Sequence, residues 1–383
     1  MVSDDPDDPT VGAAIVPRQL QRAFTELGHR CDLLFSHDLG GWPANERLRF
    51  ALSPRLAQRA VERAWRRNGP YDVVDAVAAE ASRLARGRAR IPCAVLIARS
   101  HGLEHFYYRE LLADHRAGLL RKPWWRRGYY PLVRLRPAAA GFRRADRAIL
   151  LNRRERAEAL ARHWQPPQRL DLIPHGLDDA RLAAAPPPDA PRGAGLLFSG
   201  AWYTGKGNIY LARAHALLVQ RGLPLPLTLL GPGIGHPPAE VERHVRASFA
   251  SASQPYLTIL PRLASPAAVD AHYRRHDLLV CPSTAEGFGM VVFEALSQRL
   301  PVVASSAVGA ADYLRPDEDL CIVPPRDPEA LAGAIARLWQ DPERRRALAE
   351  HGHQTVRPYT WRRAAQQTLA CYAAARAARP QIR

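Results

Sequence analysis

A chain of 383 residues exceeds what one ordinary core organises and suits two domains of about 150 to 200 residues each. Hydrophobic residues make up 47%, a globular share, and no run of 18 apolar residues exists, so no membrane-spanning helix is expected. The net charge of +17 draws anions such as lipid headgroups, nucleotides or nucleic acid, but no zinc-finger, RRM or KH signature accompanies it, so a nucleic-acid partner is not expected. Only two of the 54 basic residues are lysines, Lys122 and Lys206. The five cysteines, at 31, 93, 281, 321 and 371, are scattered and odd in number. That pattern argues against a disulfide framework or a zinc site and for a reducing compartment. The acidic start Met1-Val2-Ser3-Asp4-Asp5 is no signal peptide, and a cytoplasmic protein is expected.

Residues 11–16 lead into Leu20, Phe24 and Leu27, a helix that Gly28 closes, and residues 31–35 read as a strand. A parallel α/β layout places a strand ahead of Gly12, where this chain has only Met1-Val2-Ser3 and an Asp/Pro-rich loop. A first strand shortened to a stub fits; so does a start codon upstream of the given one, which is the expectation. Leu52, Leu56, Ala60 and Ala64 predict a helix, and residues 71–75 and 91–97 predict short strands. The second of these runs into His101-Gly102, at the strand end where open α/β sheets bind ligands. Residues 103–145 interleave aromatics with arginines, and 109–156 hold 14 Arg or Lys against four acids. Such a surface suits anionic lipid, an acidic saccharide or a nucleic-acid backbone; the alternative is a solvated helical hairpin with its aromatics packed inward. A strand over 145–151 ends at Asn152, and another over 170–173 leads into Pro174-His175-Gly176. The Ala/Pro-rich stretch 180–194 has the composition of a linker, which sets the expected domains at 1–185 and 186–358, with a terminal helix in 359–383.

The second half opens with a strand at 196–200, the loop Ala201-Trp202-Tyr203-Thr204-Gly205-Lys206-Gly207, and a helix from Asn208 to about residue 220. A lysine between two glycines just before a helix suits a compact cation near a phosphate. This is not a P-loop, because Gly207 follows the lysine directly. After a strand at 227–230 and another near 256–263, Leu278 to Cys281 reads as a buried parallel strand. Pro282-Ser283-Thr284 ends it, Gly287 and Gly289 allow a tight turn, a helix begins at Met290, and 301–304 is the next strand: a βαβ unit. Glu286 lies in the turn, and Glu294, eight residues later on the helix, is expected to face the same crevice. Free N–H groups at the helix start favour an anion there, and a carboxylate is a good acceptor for vicinal hydroxyls. Asp327-Pro328 and Asp341-Pro342 then cap further helices.

Glu286-Gly287-Phe288-Gly289 followed at this distance by Glu294, with Gly205-Lys206-Gly207 upstream, resembles the donor-site pattern of the GT4 family of retaining glycosyltransferases. The family fold is GT-B: α/β, with two doubly wound Rossmann-like domains facing across a cleft. The resemblance extends over roughly residues 11 to 375 and is strongest at 196–207 and 277–304. It implies a hexosyltransferase, without cofactor or metal, that moves a sugar from a nucleotide-diphosphate sugar to a glycan, lipid-linked or small-molecule acceptor. By the same resemblance, Glu294 binds the donor ribose, Lys206 neutralises the diphosphate leaving group, and Gly12 approaches that diphosphate. Gly287, Phe288 and Gly289 form the donor loop, and Glu286 and His101 lie against the transferred sugar, so the catalytic residues are Glu286, His101 and Lys206. The acceptor is implied on the N-terminal domain, with peripheral contact to an anionic membrane at its inner face. One departure is plain: the family usually carries an arginine where this chain has Ala201, so half of a basic pair is missing. The alternative function is therefore a GT-B protein that binds sugar or nucleotide without turnover.

Overall fold

The computed structural model describes residues 1–8, 12–41, 43, 45–91, 95–119, 125–233 and 237–379. Cys93 and residues 121–124 of the basic-aromatic stretch lie outside the described residues. The chain divides into two compact units, residues 1–176 with 361–383, and residues 177–360.

In unit 1, helices α1 (Gly12–Glu26) and α2 (Glu46–Asn68) precede β1 (Val73–Val77), α3 (Ala78–Arg86), β2 (Val95–Arg99) and α4 (Glu104–Arg116). They are followed by α5 (Trp125–Tyr130), α6 (Arg136–Arg144), β3 (Arg147–Leu150), α7 (Arg153–Ala161) and β4 (Leu170–Leu172). The strands pair in parallel in the order β1-β2-β3-β4. Every residue of β2 is buried, as expected of a strand covered by helices on both faces. Beyond β1 the sheet continues through Val2, which bridges both Ala76 and Leu34. Val2 N–H donates to the Asp75 carbonyl at 2.9 Å, and Val77 N–H donates to the Val2 carbonyl at 3.2 Å. A stub around Val2 thus stands in the place of a first strand, and Leu34 is what the run 31–35 contributes to the sheet. In the basic-aromatic stretch, Tyr108 stacks on Tyr130 with centroids 5.7 Å apart, and the Phe106 ring takes Arg109 and Arg154 at 4.8 and 5.1 Å. Phe106, Tyr108 and Tyr130 of this stretch thus pack on aromatic rings and arginines.

Unit 2 opens with α8 (Asp179–Ala183), β5 (Leu196–Ser199), α9 (Asn208–Gln220), β6 (Leu227–Leu230), α10 (Pro238–Arg246), β7 (Leu257–Leu260) and α11 (Pro266–Arg275). It goes on through β8 (Leu278–Cys281), α12 (Met290–Ser297), β9 (Val302–Ser305), β10 (Cys321–Val323), α13 (Pro328–Gln340) and α14 (Pro342–Val356). The strand order is β10-β9-β8-β5-β6-β7, all parallel. The chain winds outward from β5 to β7, then returns to the other side of β5 and winds outward again, so the direction reverses between β5 and β8. Asp327 and Asp341 accept from the Ala330 and Arg344 amides at 2.9 and 2.8 Å, starting α13 and α14 as their Asp-Pro pairs predict.

The Ala/Pro-rich stretch 180–194 lies inside unit 2, because the units divide at 176/177 rather than near 185. Its arginines tie it down. Arg192 donates from Nη1 to the carbonyls of Tyr273 and His276 at 2.7 and 2.9 Å, and from Nη2 to those of Gln298 and Arg299 at 2.8 Å each. These carbonyls sit at the ends of α11 and α12, where helices leave acceptors unsatisfied. The last helix, α15 (Trp361–Ala377), returns to unit 1: Cys371 and Ala375 share a core with Val95, Ile97, Ile149 and Ile173. Its Tyr372 hydroxyl donates to Asp75 Oδ2 at 2.6 Å, beside the buried Arg99–Asp75 pair, also at 2.6 Å.

Candidate functional site

Open parallel sheets bind ligands outside the carboxyl ends of their strands, where the strand order reverses. In unit 2 that point lies between β5 and β8, and the loops leaving these strands interlock. Thr284 N–H donates to the Gly205 carbonyl at 2.9 Å. Gly207 has φ +75°, and a Cβ there would overlap the Pro282 carbonyl oxygen, so the two loops meet as closely as they do only with glycine at this position. Gly289 has φ +88° as α12 begins, with Val308 and Glu286 packed where a Cβ would stand. The loop after β9 closes the arrangement: Glu286 N–H donates to the Ala307 carbonyl at 3.3 Å, and Gly309 N–H to the Glu286 carbonyl at 3.2 Å. The Glu286 backbone is thereby held on both sides.

Two charge clusters sit on this frame. In the first, Lys206 forms an ion pair with Glu286, and the Ser283 hydroxyl donates to the same carboxylate oxygen at 3.3 Å. Burial works against the lysine's charge, but the adjacent Glu286 carboxylate outweighs it and holds the ammonium protonated well above its ordinary range. In the second, Glu294 on α12 receives Arg181 Nη1 on Oε1 at 2.6 Å and the Tyr273 hydroxyl on Oε2 at 3.0 Å. Arg181 also reaches Asp270 Oδ1 with Nε at 2.9 Å. Burial disfavours that guanidinium's charge too, and Glu294 and Asp270 reverse the effect. Asp270 is pushed up by burial despite Arg181 beside it.

Of the residues expected from the sequence, Lys206, Glu286, Gly287, Phe288, Gly289 and Glu294 lie in unit 2, and Gly12 and His101 in unit 1. The fold brings Lys206 and Glu286 into direct contact and gives Glu294 different partners. Phe288 turns inward: it is 3% exposed, with Phe293 and Tyr313 rings at 4.8 and 5.9 Å, and so anchors the loop from beneath. At the position of the expected arginine, Ala201 is followed by Trp202, whose ring is buried against Phe198 and Phe249 at 5.4 Å each, with Nε1 donating to Ser248 at 3.1 Å. Trp202 thus turns into the core, while the neighbouring Tyr203 stays exposed.

In unit 1, Gly12 opens α1. His101 follows β2, with Nδ1 3.5 Å from Asp5 Oδ2. A cavity of about 210 Å³ opens there, lined among others by Asp5, His101, Glu104, Tyr107 and Arg134. Glu155 braces the His101 loop by accepting from the Leu103 and Leu151 amides at 3.1 and 2.9 Å. Burial raises its carboxyl to about 7. Sequence reasoning assigned no role to Glu155, Arg181, Asp270 or Tyr273. Glu155 and Arg181 stand on α7 and α8, and Asp270 and Tyr273 together on α11, each reaching a group distant in sequence, so no local spacing announces them.

Residues 193–341 match the family described as "Glycosyl transferases group 1". A D-inositol 3-phosphate glycosyltransferase 1 of Catenulispora acidiphila is 28% identical over 361 residues, covering 90% of this chain and 82% of that protein. A D-inositol 3-phosphate glycosyltransferase of Rhodococcus jostii is 30% identical over 58% of this chain and 52% of its own length. Among solved structures, sucrose-phosphate synthase from Thermosynechococcus elongatus aligns at a TM-score of 0.76 and 23% identity, over 98% of this chain and 96% of that one. The Anabaena protein HepE in complex with UDP-glucose aligns at 0.67 and 16% identity, over 97% and 98%. These likenesses in structure carry the fold, GT-B with two Rossmann-like domains. Residues 193–341, within unit 2, carry a group 1 glycosyltransferase domain.

Proposed function

We propose that unit 2 binds a nucleotide-diphosphate sugar and that the protein transfers the sugar, with retention, to a hydroxyl of a saccharide, lipid-linked or small-molecule acceptor. The carrying observation is the Lys206–Glu286 pair at the β5/β8 reversal, on loops whose glycines let backbone approach backbone. A diphosphate laid against Lys206 takes over its charge and frees Glu286 for the hydroxyls of the transferred sugar. As the bond from the anomeric carbon to the phosphate oxygen breaks, negative charge grows on the diphosphate, where Lys206 and the N–H groups opening α9 and α12 stabilise it. The acceptor oxygen bonds to the anomeric carbon on the face the phosphate leaves, and its proton passes to the departing phosphate oxygen. Glu286 acts by recognition and electrostatics, not as a nucleophile. Glu294 takes the ribose.

The acceptor is assigned to unit 1, with the cavity beside His101 as support. His101 is assigned to the sugar, a role that His101→Ala tests. The curated relatives are named for inositol 3-phosphate, and HepE was solved with UDP-glucose, which makes UDP-glucose the first donor to try. Among the described residues no helix is long and apolar enough to cross a membrane. The reading extends to a cytoplasmic protein in peripheral contact with an anionic membrane, supported by Leu48 and Leu132, each 52% exposed in arginine-rich surroundings.

The test is nucleotide release from UDP-, GDP- and ADP-sugars in the presence of a chelator. One donor should be turned over, and Lys206→Ala and Glu294→Ala should each lower release by about 10²-fold or more. Binding without release, with or without acceptors, would favour the non-catalytic reading, to which Ala201 lends weight. Failure to bind any donor would overturn both readings.

A further inference from the structure

We propose that Arg181 is the positioning residue of the ribose subsite: by fixing the Glu294 carboxylate it sets the preference for ribonucleotide over 2′-deoxyribonucleotide donors. This rests on the reading of Glu294 as the ribose ligand. A glutamate on a helix has a freely rotating carboxylate, and a two-point grip on a vicinal diol needs both oxygens held in place. Here Oε1 is ion-paired with Arg181 Nη1 at 2.6 Å and Oε2 accepts from the Tyr273 hydroxyl at 3.0 Å, one fixed contact to each oxygen. Each carboxylate oxygen offers about two acceptor positions, so one on each is left for the 2′- and 3′-hydroxyls. The Glu294 side chain is 17% exposed, enough to be reached.

Arg181 is itself immobilised. Its side chain is 9% exposed, its Nε donates to Asp270 Oδ2 at 3.2 Å, and its carbonyl accepts from Gln298 Nε2 at 2.7 Å. The helix it stands on is held further by Arg274, which donates to the Ala184 carbonyl at 3.1 Å. A planar guanidinium that spans two carboxylates fixes orientation in a way a lysine cannot. Two carboxylates sharing one guanidinium also leave the cluster net acidic. It therefore favours hydroxyl donors and repels a diphosphate, which is left to Lys206.

The experiment is calorimetric titration of the whole chain with UDP, GDP and ADP and their 2′-deoxy forms, for wild type, Arg181→Met, Arg181→Lys, Tyr273→Phe and Glu294→Gln. For the nucleotide that binds, Arg181→Met should weaken the ribo form about tenfold, the value of one charge-assisted hydrogen bond, and leave the deoxy form unchanged. The ribo-to-deoxy ratio then falls toward that of Glu294→Gln, and Arg181→Lys recovers only part of it. Tyr273→Phe, which removes the other fixed point, should lower the ratio as well and serves if Arg181→Met does not fold. A wild-type ratio in the Arg181 and Tyr273 variants, with Glu294→Gln erasing it, overturns the inference alone. A wild-type ratio in Glu294→Gln overturns the ribose reading beneath it. Absence of binding by every nucleotide overturns the donor reading.

Discussion

Lys206 and Glu286 are each other's nearest counter-charge, and that pairing separates their expected phenotypes. On the proposed function, Lys206→Ala removes the cation that balances the departing diphosphate, and it should lower kcat by about 10²- to 10³-fold, the usual loss for one preorganised electrostatic contact. Lys206→Arg should not fully restore it, because a planar, delocalised fork does not place its charge as a compact ammonium does. A steady-state comparison of kcat and KM with the working donor decides. The backbone at Gly207 gives a second test. Gly207→Ala meets both a left-handed φ and the Pro282 carbonyl, and it should cost about 1 to 3 kcal/mol in urea unfolding and reduce nucleotide affinity. Gly222 has a similar φ of +74° in open space, so Gly222→Ala should cost only about 1 kcal/mol and leave binding intact. Equal effects at the two positions would show that the loop contact does not matter.

The stretch 180–194 shows where composition misleads at the level of elements. Alanines and prolines offer little apolar surface, and so the segment reads as a linker. Its attachment is polar and non-local: Arg192 satisfies four carbonyls, and Arg181 reaches two carboxylates. Burial lowers the Arg192 guanidinium to about 10, still charged at neutral pH. Arg192→Met strands these carbonyls, each costing about 1 to 3 kcal/mol when left unpaired. Limited proteolysis should then cut the variant rapidly between 180 and 194, with the wild type resistant there. Rapid cutting of the wild type would mean that the segment is a free linker after all. By contrast, β5, β8, β9 and the turns between them were legible in the sequence. A buried strand, a glycine that must turn and an Asp-Pro cap each write their signal within a few residues. Partners such as Arg181, Tyr273 and Glu155 act across more than one element, and a single sequence holds no local trace of that.

For the molecule as a whole, the two parallel sheets followed from alternating strand and helix signals, whereas the stub at Val2 reads as loop because its pairing with Ala76 and Leu34 is entirely long-range. The same long-range packing buries charge in a chain of net charge +17, and this gives the stability a pH dependence that can be traced to one residue. Glu80 is fully buried; its Oε1 accepts from Ser53 at 2.8 Å, and Arg134 approaches only to 3.8 Å while bonding Asp4 and Glu104 at 2.8 and 2.6 Å. Burial, reinforced by Asp4 and opposed by Arg134, raises the Glu80 carboxyl to about 8. An unfolded glutamate titrates near 4.3, so the unfolded chain gives up this proton first. The stabilising contribution is complete below about pH 4.3, declines by at most about 1.4 kcal/mol per pH unit above it, and is lost once pH passes 8. His105 and His175 run the other way: burial depresses them to about 4 and about 3, so their contribution grows as pH rises from those values to the unfolded value near 6.5 and is complete above it. The comparison that isolates Glu80 is therefore wild type against Glu80→Gln, which keeps the Ser53 hydrogen bond and cannot ionise. The two should have similar urea midpoints at about pH 4, and the variant should become progressively more stable than wild type up to about pH 8. A constant difference across that range would mean that Glu80 is ionised in the fold and paired with Arg134, with the buried charge compensated rather than avoided.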